Sequence, residues 1–244
     1  MGPMDRNGID PSALEGKTPE EVLRWAAARF PGDTLALATS FGVEDQVLIH
    51  MAAKLGMAAH VFTLDTGRLF PEVHGTMQRT MEAYRIPIEV YAPEAPDVAD
   101  LVREKGPNLF YGSPADRHRC CEVRKIRPLR KALQGRRAWV TGLRRGQSQG
   151  RSGVLPASWD EAHGLWKICP LAALTERDVW EYAERNNVPV CPLQRKGFRS
   201  LGCAPCTRAI GPDDDLRSGR WWWEEDGRRE CGLHTAQDRA QGNG

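Results

Sequence analysis

The sequence predicts an α/β fold in which helices flank a mostly parallel sheet. Three observations carry that expectation. Short, nearly all-apolar runs recur at residues 35–40, 60–65 and 138–142, as expected of strands buried on both faces. Segments with helical spacing of apolar residues lie between them, and strands that alternate with helices pair in parallel through crossovers. The chain of 244 residues is 41% hydrophobic and 27% charged, long enough for one substantial core and short for two.

Taken in order, the first 17 residues are polar and punctuated by Gly and Pro, and are expected to be loose. Thr18-Pro19-Glu20-Glu21 reads as an N-cap, a proline at the first helical position and a capping-box glutamate. The helix it opens carries Val22, Leu23, Trp25, Ala26 and Phe30. After the strand at 35–40, a second helix is expected over 44–55, stopped at Gly56. A strand at 60–65, a helix over about 72–84 and a strand at 88–91 follow. A short helix near 97–105 leads into a loop rich in Gly and Pro, then a basic helix from Cys121 towards Leu133 and the strand at 138–142. Beyond Cys206 the regularity is lost. No repeat or low-complexity linker interrupts the chain, so residues 1–244 are read as a single domain: a loose N-terminus (1–17), a nucleotide-binding α/β core with the cysteine site (18–206), and an irregular, mobile C-terminal tail (207–244).

No apolar run approaches the ~20 residues of a membrane span, and residues 1–11 contain no stretch resembling a signal peptide. A cytoplasmic location is therefore expected, with the seven cysteines reduced, metal-bound or catalytic rather than paired in disulfides. Net charge is only +2, yet residues 117–151 hold twelve Lys or Arg against one acid, Glu122. Such a block suits a solvated face, a nucleic-acid footprint or a small bound polyanion. Three polar turns, at Thr39-Ser40-Phe41-Gly42, Asp65-Thr66-Gly67 and Thr141-Gly142-Leu143-Arg144, fall at carboxyl ends of the expected strands. Ligands sit there in open α/β sheets, and three converging turns point to a nucleotide crevice.

Four cysteines form two close pairs, Cys120-Cys121 and Cys203-Ala-Pro-Cys206. Two such pairs can close on one soft metal centre, and thiolate softness does not separate zinc from an iron–sulfur cluster. Cys231 lies apart from them, between Glu230 and Gly232 with Arg228 and Arg229 nearby. No apolar run is present to bury it, and neighbouring cations favour its thiolate, so it is the candidate nucleophile. Arg217-Ser-Gly-Arg220 has the charge to grip sulfate or phosphate oxygens. The tryptophans that follow, Trp221 to Trp223, suit packing of the tail onto the body.

These motifs together closely resemble the assimilatory adenylyl-sulfate reductases, the iron–sulfur branch of the APS/PAPS reductase family. The matching pieces are Cys-Cys-Glu-Val-Arg-Lys125, Cys203-x-x-Cys206, Arg217-Ser-Gly-Arg220-Trp-Trp-Trp-Glu and Glu-Cys231-Gly-Leu-His234. Ser40-Phe-Gly-Val-Glu-Asp45, Leu64-Asp65-Thr66-Gly67 and Thr141-Gly-Leu-Arg-Arg-Gly-Gln-Ser148 match further, and the resemblance runs from about residue 20 to 234. It implies an adenine-nucleotide alpha-hydrolase-like fold with a modified PP-loop. It also implies attack by Cys231 on the sulfur of adenosine 5′-phosphosulfate (APS), leaving S-sulfocysteine and AMP, and release of sulfite by a thioredoxin thiol. Cys120, Cys121, Cys203 and Cys206 would hold a [4Fe–4S] cluster. Substrate contacts would come from Ser40, Phe41, Gly42, Leu64, Asp65, Thr66, Gly67, Lys125, Gly142, Arg144, Arg217, Arg220 and His234. Neither nucleic acid nor membrane is expected as a partner, and the resemblance implies a homo-oligomer.

The sequence departs from that family at Cys169 and Cys191, each before Pro-Leu, where Asn is expected; structural roles fit both. The loop Gly211-Pro-Asp-Asp-Asp-Leu is also unusual. Rival readings are a reductase of the 3′-phosphorylated substrate PAPS or of both nucleotides, an ATP pyrophosphatase for RNA thiolation, and a zinc-stapled nucleic-acid binder. The pyrophosphatases carry Ser-Gly-Gly-x-Asp-Ser in the first loop, which Ser40-Phe-Gly-Val-Glu-Asp45 lacks.

Overall fold

The computed structural model describes residues 9–224. Six strands form one sheet in the order β3-β2-β1-β4-β6-β5: β1 Leu35–Thr39, β2 His60–Leu64, β3 Glu89–Tyr91, β4 Ala138–Val140, β5 Ala157–Asp160 and β6 Leu165–Ile168. All neighbours pair in parallel except β5 and β6, which form an antiparallel hairpin. The chain builds outward from β1 to β2 and β3, then crosses back to lay β4 on the other side of β1. That reversal leaves a crevice beyond the carboxyl ends of β1 and β4, where α/β sheets bind ligands.

Alternation along the strands assigns each residue a face. Leu35 and Leu37 point into a core shared with Val22, Leu23, Phe30 and Leu48, whereas Ala36 packs with Phe62, Leu129 and Trp139 on the opposite side. Helix α1 (Pro19–Arg29) starts at the expected capping box: Thr18 accepts from the Glu21 N–H, and Glu21 accepts from the Thr18 N–H at 2.7 Å. It buries Val22, Leu23 and Ala26. Helices α2 (Val43–Lys54), α3 (Pro71–Tyr84) and α4 (Ala95–Lys105) follow the sequence expectation closely.

The basic helix differs from expectation. It begins seven residues before Cys121, at α5 (Pro114–Cys121), because the Ser113 side chain caps the Asp116 N–H and Pro114 occupies the first turn. One π turn, Glu122–Ile126, then joins α5 to α6 (Arg127–Leu133). Widening the helix there buries four successive residues, Val123, Arg124, Lys125 and Ile126, and π turns of this kind gather at functional sites. The β5–β6 hairpin and α7 (Glu176–Arg185) were not expected. Helix α7 carries its own capping box, with Thr175 and Asp178 bonded reciprocally.

Residues 207–224 form no helix or strand of the sheet, yet they dock on the body. Thr207 bridges to Arg220 in antiparallel fashion, and Trp221 is 1% exposed. The loop at 211–216, with its three aspartates, closes through an Asp214 carboxylate that accepts from the Gly211 N–H at 2.8 Å. Cys231 and His234 lie outside the described residues, as does the expected mobile part of the tail beyond 224. Among the described residues no helix is long and apolar enough to cross a membrane.

Candidate functional site: a nucleotide cleft against a four-cysteine pocket

The carboxyl ends of β1, β2 and β4 open into a cleft with a cavity volume of about 220 Å³. Phe62, Leu64, Leu129 and Trp139 make its apolar floor. Ser40, Gly42, Thr66 and Gly142 line its rim, and Lys125, Arg151, Arg217 and Arg220 bring cations to it. An apolar slot beside small polar turns and a cationic wall suits a heterocyclic base carrying an anionic extension.

The Ser40 loop is held by its own carboxylate. The N–H and hydroxyl of Ser40 both donate to Asp45 Oδ2, at 2.6 and 2.7 Å. Burial pushes Asp45 up to about 6, further than its donors pull it down. A Cβ at Gly142 would stand 2.5 Å from Asp45 Oδ1, so only glycine lets the β4 turn approach. Phe41 adopts a left-handed φ of 61° and sends its ring into the core with Val73, Ile88 and Leu193, so it does not line the cleft.

Arg144 does not line the cleft. Its guanidinium donates twice to Glu44 Oε1, from Nε at 3.0 Å and Nη2 at 2.8 Å. Gln147 Nε2 donates to the same oxygen and to the Gly142 carbonyl, both at 3.0 Å, and Arg151 Nη1 donates to Gln147 Oε1 at 2.6 Å. These side chains fix the loop after β4. Asp65 and Gly67 also lie off the cleft: the Gly67 N–H donates to Asp65 Oδ1 at 2.8 Å, and His74 Nε2 lies 3.2 Å from Asp65 Oδ2.

Cys120, Cys121, Cys203 and Cys206 line one pocket beside the cleft, although Cys121 and Cys203 are far apart in sequence. Helix α5 presents the first pair. The Ala204 N–H donates to the Arg68 carbonyl at 2.8 Å, and Thr66 Oγ1 lies 3.2 Å from Cys203 Sγ; both contacts bring the second pair against the turn after β2. All four thiols are buried and none forms a disulfide. Arg68, Arg117, Arg124, Lys125 and Arg220 surround them, and Arg124 Nη1 donates to the Thr66 carbonyl at 2.7 Å. Burial raises Cys120, and raises Cys206 to about 11. At Cys203 burial also acts upward, but Lys125, the Thr66 hydroxyl, Arg220 and Arg124 outweigh it and leave the thiol below its usual range.

No three His, Cys, Asp or Glu side chains among the described residues are arranged around a single ion. Four soft sulfur donors around one pocket, circled by cations, fit a multinuclear thiolate-bound group better than one hard cation. The basic block itself is largely neutralised. Arg117, Arg124, Lys125, Arg144 and Arg151 are buried. Arg119, Arg127, Arg130, Lys131 and Arg145 pair with Glu104, Asp97, Glu122, Glu94 and Glu15. It therefore presents no continuous cationic face.

Of the residues singled out in the sequence, Ser40, Gly42, Leu64, Thr66, Lys125, Gly142, Arg217 and Arg220 meet at the cleft. Gly202 was missed: a Cβ there would overlap the Arg220 guanidinium. Asp45 and Arg151 were missed as site residues, as was the Arg117–Glu224 pair at the cysteine pocket. Asp45 stands within the first-loop motif and Glu224 closes the motif that begins at Arg217; for Gly202, Arg117 and Arg151 no local sequence signal exists.

Comparison with known proteins is consistent with this geometry. The model of the phosphoadenosine phosphosulfate reductase domain matches residues 34–209. A protein of Allochromatium vinosum named adenosine 5′-phosphosulfate reductase is 46% identical over 205 residues, covering 84% of this chain and 80% of the relative. One of the same name from Pseudomonas aeruginosa is 44% identical over 231 residues, covering 92% and 85%. The crystal structure of phosphoadenylyl-sulfate (PAPS) reductase from Candida auris, in a phosphate complex, superposes with a TM-score of 0.71 at 26% identity, covering 85% of this chain and 98% of that one.

Proposed function

The chain belongs to the phosphoadenosine phosphosulfate reductase family, and on that premise we propose that it reduces adenosine 5′-phosphosulfate to sulfite and AMP in sulfate assimilation. One observation carries the reading: Lys125 and Arg220 line both the nucleotide cleft and the four-cysteine pocket. A nucleotide whose base lies on the apolar floor directs its anionic end at that shared wall. The two sequence relatives described above, 46% and 44% identical, are named for APS, whereas the structural neighbour named for PAPS is 26% identical.

In this reading Ser40, Gly42, Leu64, Thr66 and Gly142 hold the nucleoside, while Lys125, Arg217 and Arg220 hold the phosphosulfate oxygens. Fixed cations suit this displacement, because the charge that moves is carried on peripheral oxygens. The Cys231 thiolate forms a bond to sulfur as the sulfur–oxygen bond to AMP breaks, giving S-sulfocysteine. A thioredoxin thiolate then attacks the cysteine sulfur and sulfite leaves with the sulfur–sulfur bonding pair. The second thioredoxin thiol displaces the Cys231 thiolate from the resulting mixed disulfide, so that thioredoxin, oxidised to its disulfide, has supplied the two electrons that leave in sulfite. Cys120, Cys121, Cys203 and Cys206 would hold a [4Fe–4S] cluster, which supplies a fixed, polarisable charge beside the phosphosulfate wall. His234 is assigned to the same anionic end.

The test is turnover of protein purified without oxygen, with thioredoxin and either APS or PAPS. Sulfite from APS, about four irons and four sulfides per chain, and loss of sulfite with an unchanged visible spectrum in Cys231→Ser are expected. A large preference for PAPS would overturn the substrate; full turnover in Cys231→Ser would overturn the nucleophile.

A further inference from the structure

Seven residues before Cys231 the chain is held by an ion pair that the reaction leaves without a role. Arg117 donates to Glu224 through Nε at 2.5 Å and Nη2 at 3.0 Å, and the two side chains are 2% and 5% exposed. Arg117 stands three residues before Cys120 in α5 and lines the cysteine pocket. Its guanidinium lies 4.4 Å from the centroid of the Trp221 ring, and that of Arg220 lies 4.6 Å from the same centroid. Trp221 adopts a φ of 45°, a left-handed conformation unfavourable for a bulky L-residue. Arg220 donates in turn to the carbonyls of Cys206 at 3.2 Å and Leu201 at 3.0 Å. Glu224, Arg117, Trp221 and Arg220 thus form one continuous chain of contacts, from the last described residue to the nucleotide cleft.

A buried ion pair is a poor source of stability, since desolvating both charges cancels most of their attraction. What a bidentate pair supplies is orientation: a planar guanidinium accepts a carboxylate in few geometries. Here the orientation bears on two groups at once. Trp221 is in contact with the guanidiniums of Arg117 and Arg220, with that of Arg217 at 5.9 Å from its centroid, and the last two belong to the phosphosulfate wall. The chain leaving Glu224 also has a fixed origin, and seven residues span at most about 25 Å.

We propose that Glu224 and Arg117 are positioning residues for sulfo transfer, setting the origin of the segment that carries Cys231 and, through Trp221, the direction of Arg220. The inference rests on the reading of Cys231 as nucleophile and APS as substrate. Full-length protein purified without oxygen is mixed with APS and no thioredoxin, and the S-sulfo adduct is followed by intact mass in a single turnover. Wild-type protein that forms no adduct refutes the underlying reading and not the pair. Given the adduct, Glu224→Gln is expected to slow its formation about 10- to 100-fold, the scale of a small misplacement of reacting groups. AMP affinity should stay within about twofold and the visible spectrum should be unchanged, a split that a purely structural role would not give. Arg117→Lys keeps the charge and loses the fork; it should fold and be slowed similarly, and Glu224→Asp should recover part of the rate. Adduct formation at the wild-type rate in folded Glu224→Gln or Arg117→Lys overturns the proposal. So does a parallel loss of AMP binding, spectrum and rate in both variants.

Discussion

Protonation of Asp45 should be readable in the stability of the whole protein. Burial raises this carboxyl from its ordinary 3.8 to about 6, the adjacent Glu44 charge adds to the rise, and the donors of Ser40 and Gly142 oppose it incompletely. A folded pKa above the unfolded one means that the native state holds the proton more tightly. Below about pH 4 both states are protonated and the stabilisation is complete. As pH rises from about 4 to 6 the unfolded chain releases its proton first, and native stability falls. At roughly 1.4 kcal/mol per unit, full enclosure gives a loss of about 3 kcal/mol; Asp45 is only partly buried and lines the open cleft, so about 1–3 kcal/mol is expected. Asp45→Asn cannot titrate, and its altered hydrogen bonds add a constant offset at every pH. The unfolding free energy of Asp45→Asn minus that of wild type, from urea titrations of the nucleotide-free protein, should therefore rise by about 1–3 kcal/mol between pH 4.5 and 7. A difference that stays flat within about 0.3 kcal/mol, or that falls, would refute the claim that burial outweighs the Ser40 donors.

Gly202→Ala places a methyl group on the Arg220 guanidinium; displacing that charged donor should lower kcat/KM for APS about 10- to 100-fold, in line with ~1.5–3 kcal/mol for a charge-assisted bond. Glu44→Gln leaves Arg144, 2% exposed, without its carboxylate, and urea unfolding should show a loss of about 3–5 kcal/mol. Burial opposes ionisation of Asp160, but His163 and Lys167 hold its carboxyl below the usual 3.8. Its contribution is present above about pH 4 and is lost as pH falls through the folded pKa. Asp160→Asn should accordingly be less stable than wild type at pH 7, with the gap closing on acidification; a gap independent of pH would exclude an ionic role.

Local signals served well wherever a segment carries its own information. The Thr18 capping box and the apolar runs of β1, β2 and β4 lie where hydrophobic period and turn chemistry place them. The paired cysteines also meet in one pocket. The β5–β6 hairpin has no such signature: its strands are four residues each and break at Gly164, and they exist because β6 pairs with β4. Helix α7 is legible in Thr175-Glu-Arg-Asp178, whose first and last residues form its capping box. The start of the basic helix followed from Ser113-Pro114, equally readable. Arg117 and Glu224, by contrast, are 107 positions apart, and Arg144 meets Glu44 across 100. Partners of that kind are selected by tertiary packing, and only burial reveals which charges in a basic block are structural.

The split of the cysteine pocket between α5 and the Cys203 loop also sets a timetable. Cys121 and Cys203 are separated by about eighty residues, which a ribosome translating roughly 5–20 residues per second takes about 4–16 s to add. The intervening chain includes the β5–β6 hairpin and α7, and the second thiol pair is held beside the first by contacts with Thr66, Arg68 and Tyr111 far upstream. During that interval the nascent chain holds only the first of the two thiol pairs that line the pocket. A group that bridges all four thiols can therefore form only after synthesis has passed Cys206.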